Sequence, residues 1–176
     1  MRTLLIGLVA TAAVAFAQNN PLSAFNRSAY GQFKITLVRS AEKMPPEYYN
    51  FKPTDAVRSF GQIVGHVADT QYIFCSIILG EKDPALRIEQ TKTSKADLVA
   101  ALKDAFGYCE KAYDGMTDAS AVQMVKFFGV DTPKLGVLDA NNMHTALHYG
   151  NLVTYMRLKN IVPPSSEAPS QPPPKK

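Results

Sequence analysis

The chain has 176 residues, carries a formal net charge of +4 and is 46% hydrophobic, enough for one domain with a single core. Setting aside Arg2, Glu167, Lys175 and Lys176 leaves 16 basic against 14 acidic residues. No basic run is interleaved with aromatics, which excludes the electrostatic footprint of a nucleic-acid binder.

The opening, MRTLLIGLVATAAVAFAQ, places Arg2 before an apolar run from Leu4 to Phe16, and Ala15, Phe16 and Ala17 form a small-x-small cleavage site. This is the layout of a secretory signal peptide over residues 1–17, cut before Gln18. The run is shorter than the roughly 20 residues a spanning helix needs, and no cysteine lies at the cleavage site to take a lipid. The mature protein is therefore expected to be exported, periplasmic or secreted, with no stable membrane insertion after cleavage.

The first helix is predicted over residues 21–43. Leu22, Phe25, Ala29, Phe33, Leu37, Ala41 and Met44 recur at steps of three and four, the spacing of one buried helical face. Pro45, Pro46 and Pro53 then forbid continuation. Ser59 restarts the chain with a capping box, since Gln62 stands at the third helical position. The second helix runs from there to about Leu79 and stops at Gly80. Ser94 caps a third helix, with Asp97 in its first turn where the helix dipole favours negative charge. Leu98, Leu102, Ala105, Cys109, Ala112 and Met116 form its apolar stripe. A weaker helical piece is expected over 119–127, followed by the loop FFGVDTPKLG and a fourth helix over 137–159. The ending VPPSSEAPSQPPPKK is rich in proline, serine and glutamine, so a disordered tail is expected over 163–176. Few segments read as strands and no repeat is visible. The expectation is an all-α fold, a four-helix bundle over residues 18–162.

On the fourth helix, Val137, Asn141, His144, His148, Asn151, Tyr155 and Leu158 share one face at 3.6 residues per turn. That face is apolar at its flanks and polar in its middle. Two imidazoles four residues apart point the same way and can grip one ion. Asn141, Asn151 and Tyr155 are candidates to hydrogen-bond the rings and orient them. Such a pair alone is more often satisfied by neighbouring groups than by metal. His66, the remaining histidine of three, borders the apolar row Phe60, Ile63, Val67, Phe74 and Ile78 of the second helix. Three inward imidazoles are costly to bury unless paired or coordinated. Three histidines also leave coordination positions open, as a catalytic rather than a structural metal site does.

Two stretches carry a resemblance. MPPEYYNFKP followed by RSFGQIVGHVAD, and NNMHTALHYGNLVTYMRLKNIVPP, resemble the DinB/YfiT-like family of small metal-dependent four-helix proteins, and the likeness covers most of residues 22–164. It implies an up-down-down-up bundle with a three-histidine site for a divalent transition ion, zinc, nickel or iron. By position the ligands would be His66, His144 and His148. Some members are thiol S-transferases or thiol-dependent isomerases, which implies a small-molecule substrate, and members often pair through their helices, which implies a homodimer.

Cys75 and Cys109 are the only cysteines. Each lies about 15 residues into its helix, so the two thiols are level if the second and third helices run parallel and far apart if they run antiparallel. The family topology implies the parallel arrangement and therefore a disulfide; the alternative is two buried thiols acting as small apolar groups. Glu42, Glu47 and Asp69 lie near the ends of the relevant helices, but no spacing marks any of them as a general base, and no catalytic residue is assigned. Arg157 falls on the face opposite His144. The functional expectation is an exported metalloprotein, a metal-dependent hydrolase or thiol transferase. The alternative is a non-catalytic helical binding or scaffold protein.

Overall fold

The computed structural model describes residues 20–167. The expected signal peptide, residues 1–17, and the end of the chain from residue 168 lie outside that range. Four long helices carry the fold: α1 (Pro21–Lys43), α2 (Phe60–Leu79), α4 (Lys95–Asp114) and α6 (Lys134–Leu158). Between them stand the short helices α3 (Ile88–Thr91) and α5 (Asp118–Ala121), and the strands β1 (Met124–Phe127) and β2 (Val130–Pro133). Among the described residues no helix is long and apolar enough to cross a membrane.

Local chemistry sets the helix ends. Ser59 accepts from the Gln62 amide while Gln62 reaches back to the Ser59 amide, satisfying two orphan donors at the start of α2. Gly80 ends α2 in the left-handed region at φ 70°, a conformation only glycine adopts without strain. Ser94 accepts from the Asp97 amide and starts α4.

Side-chain pairs give the directions. Gly61 meets Leu98, Tyr72 meets Tyr108 and Cys75 meets Cys109, so α2 and α4 run parallel. Arg27 pairs with Asp114 and Lys103 with Glu42, so α1 and α4 run antiparallel. Tyr155 reaches Arg58 while Gln71 reaches Asn141, which makes α2 and α6 antiparallel as well. The bundle is up-down-down-up. Phe60, Phe106, Leu37, Leu102, Leu138, Leu152 and Met156 are fully buried at its centre, each contributing about 1.5–3 kcal/mol by leaving water.

Three expectations are corrected. The apolar stripe of α1 holds only in its second half: Leu37, Ala41 and Met44 are buried, but Leu22 and Phe25 are 60% and 78% exposed. Ser23 and Asn26 are buried in their place. Asp118 accepts from the Leu22 and Ser23 amides and from the Ser23 hydroxyl, capping α1 from across the bundle, and Asn26 donates to Asp139. These polar contacts turn the first two turns of α1 away from the face its apolar residues would choose.

The segment expected to be helical over 119–127 is helical only as far as Ala121. Residues 124–133 form an antiparallel hairpin with Phe127 opposite Val130. Phe128 and Gly129, at φ 47° and 86°, make its two-residue turn, the mirror-image type whose twist suits a hairpin.

The ordered chain also passes residue 162. Pro164 is buried, and Glu167 pairs with Lys43 at 2.6 Å and with Arg39. Proline and serine cannot build a core, but here they dock through partners that α1 and α6 supply.

Candidate metal centre

His66 stands in the second turn of α2, and His144 and His148 stand one turn apart on the facing side of α6. Because the two helices are antiparallel, with Arg58 at Tyr155 and Gln71 at Asn141, residue 66 falls level with residues 144–148 and the three rings converge. Nε2 of His144 lies 3.1 Å from Nε2 of His66 and 3.2 Å from Nε2 of His148. One nitrogen from each ring falls within 4.8 Å of the others. His148 is 8% exposed and the other two are half-buried.

The opposite nitrogens show which tautomers the site favours. Nδ1 of His66 faces Glu89 Oε2 at 3.1 Å. Nδ1 of His144 faces the Thr70 oxygen at 3.3 Å, and that hydroxyl already donates to the Val67 carbonyl, so it offers a lone pair. Both Nδ1 atoms therefore face acceptors and carry the proton, which leaves Nε2 bare. Bare lone pairs that converge repel unless a cation stands among them. Two imidazoles bound at 2.0–2.1 Å to a tetrahedral ion have nitrogens about 3.3 Å apart, close to the spacing found. The donor set fits a divalent transition ion.

Electrostatics agree. Burial, above all, pushes the imidazole pKa of His144 and His148 down to about 4, helped by the neighbouring rings and by Arg58. Burial and Arg58 also lower His66, against the opposing pull of Glu89. All three rings are neutral at pH 7, the state that binds metal.

Of the three residues expected to orient the rings, Asn151 reaches one, with its amide nitrogen 3.4 Å from Nδ1 of His148. Rotation of that amide would present its oxygen instead. Asn141 touches none of the rings; it exchanges hydrogen bonds with Gln71 at 3.0 and 3.1 Å and donates to the Tyr113 hydroxyl. The Tyr155 hydroxyl donates to the Arg58 carbonyl at 2.6 Å and holds the segment before α2.

Glu89 was not legible in the sequence. It lies on α3, four residues in a charged connection, too short for any periodicity to register. Asp69, one turn beyond His66, accepts from the Ile88 and Glu89 amides at 2.8 and 3.0 Å and so fixes α3 against α2. The other oxygen of Glu89 takes the Arg58 Nε at 2.8 Å. A chain Arg58–Glu89–His66 thus ends at the centre.

Beside His148 opens a trough of about 760 Å³, walled by Asn151 and Tyr155 of α6, by Glu89 and by the segment 52–58. On the far side the ring of Phe74 lies 5.8 Å from His144 and packs on Phe127 of the hairpin. Cys75 and Cys109 are joined in a disulfide between α2 and α4, with Cα atoms 5.2 Å apart.

The DinB superfamily model matches residues 36–152. A DinB-like protein from Bacillus cereus ATCC 10987 superposes with a TM-score of 0.70 at 14% identity, covering 79% of this chain and 93% of that one. The DinB-like protein YjoA from Bacillus subtilis superposes at 0.63 with 21% identity, covering 84% and 95%. No curated protein matches in sequence. The four-helix bundle, its topology and the family match together make this chain a member of the DinB superfamily.

Proposed function

We propose that the chain is an exported metalloenzyme whose His66, His144 and His148 hold one divalent zinc, nickel or iron ion. The observation that carries this reading is the convergence of three Nε2 atoms while Glu89 and Thr70 engage the opposite nitrogens of two of the rings. Three protein ligands leave coordination positions open, and the trough beside His148 gives a small molecule access to them. The ion would supply Lewis acidity, or lower the pKa of a bound water or thiol, the chemistry of a hydrolase or a thiol transferase. Glu89 holds the His66 ring and its tautomer, and Tyr155 keeps the segment carrying Arg58 in place. The signal-peptide layout of residues 1–17 supports export, and a disulfide suits an oxidising compartment.

The test is elemental analysis of the mature protein, residues 18–176, purified without a metal-binding tag, beside His148→Ala. Near one equivalent of a transition metal in the wild type and little in the variant is the expected result. No metal in either, after incubation with zinc, nickel and iron(II), would sink the metalloprotein and leave a helical scaffold.

A further inference from the structure

Three neutral imidazoles bring no charge to an ion, so a divalent ion held by His66, His144 and His148 keeps its own. The trough that opens beside His148 is lined by two cations, Arg58 and Lys52, and two carboxylates, Glu89 and Asp55, which cancel in formal charge. Its two carboxylates are already engaged: Glu89 by Arg58 Nε at 2.8 Å and Asp55 by Lys52 at 3.0 Å. The charge of the ion is therefore left for the substrate to meet.

Arg58 is placed to help. Glu89 takes its Nε, and among the described residues no hydrogen bond or ion pair occupies its two terminal nitrogens. Its side chain is 45% exposed and lines both this trough and the adjoining one that contains Lys92. The paired terminal nitrogens of a guanidinium match the two oxygens of a carboxylate. One carboxylate, Glu89, joins Arg58 Nε to Nδ1 of His66, and Arg58 and His148 line the same trough, so a ligand lying in it has a histidine of the centre on one wall and the guanidinium on another.

Resting on the metal-site reading, we infer that the trough binds a small organic dianion, one group on the open face of the ion and a carboxylate on the terminal nitrogens of Arg58. A neutral or cationic substrate of the same size leaves the terminal nitrogens of Arg58 unmet. Tyr155 serves this arrangement indirectly, by holding the Arg58 carbonyl and with it the start of the side chain.

Cobalt(II)-loaded mature protein reports ligand exchange at the ion through its visible absorption. Succinate and glutarate would be titrated against their monomethyl esters, which keep one carboxylate for the ion and cap the other. At least one diacid should bind about tenfold more tightly than its ester, the effect of one charge-assisted bidentate contact. That margin should vanish in Arg58→Gln and survive in part in Arg58→Lys, which retains the charge but not the fork. Equal affinities for diacid and ester in the wild type, or an undiminished margin in Arg58→Gln, would overturn the inference and leave the metal site standing. Failure to take up cobalt would overturn both.

Discussion

Gly65 and Glu89 meet backbone to backbone: a β-carbon placed on Gly65 would stand 2.7 Å from the Glu89 Cα and 2.9 Å from its amide nitrogen. Only glycine lets α3 lie this close to α2, and this closeness carries the Glu89 carboxylate to His66. Gly65→Ala should push α3 outward, costing about 1–3 kcal/mol of stability through the clash and loosening the metal. Urea melts of the metal-free protein and competition with a chromogenic chelator would show both effects; an unchanged metal affinity would separate α3 from the centre.

Glu89→Gln should cost the metal-free fold no more than about 1 kcal/mol, because the half-buried side chain keeps its shape and an acceptor oxygen while losing only its charge. Metal affinity should fall by roughly 10-fold, as for other carboxylates that orient a metal-bound histidine. The same chelator competition reads it. A parallel drop in stability would point instead to a purely structural residue.

The metal-free protein should lose stability as the pH falls through the histidine range. In the folded chain His144 and His148 titrate at about 4, below the ordinary imidazole value near 6.5. Above about pH 6.5 neither the folded nor the unfolded chain protonates these rings, and stability is full. Between about 6.5 and 4 the unfolded chain takes up protons that the folded chain refuses, and the native state weakens, by about 2 kcal/mol after allowance for solvent at the partly exposed rings. Below 4 this contribution levels off. Urea melts at pH 7.5 and 4.5 would measure it, and a flat profile would mean the rings are not held neutral.

The disulfide should act on stability and not on the metal. Cys75 and Cys109 are 34 residues apart, a loop whose closure is worth about 3–4 kcal/mol in the chain-entropy account. The double variant Cys75→Ala, Cys109→Ala should unfold at correspondingly lower urea yet bind its metal equally well. Loss of metal in that variant would show that the bridge sets the spacing of the histidines as well.

What the chain determined by itself is local. Ser59 with Gln62, Gly80 and Ser94 mark helix ends through bonds to their own backbone neighbours, so α2 and the start of α4 were legible residue by residue. The step of four between His144 and His148 likewise needs only one helix to put both rings on one face. Tertiary structure decided everything that depends on a distant partner. It brought His66 to that face by running α2 against α6, and it delivered Glu89 from a four-residue helix that Gly65 and Asp69 admit. It turned Leu22 and Phe25 outward because Asp118, nearly a hundred residues away in sequence, caps α1. It also docked Pro164 and Glu167 on the bundle, where composition alone foretold a free tail. Periodicity and caps are short-range and are written in the sequence, whereas a hydrogen bond between remote side chains exists only once the helices have packed.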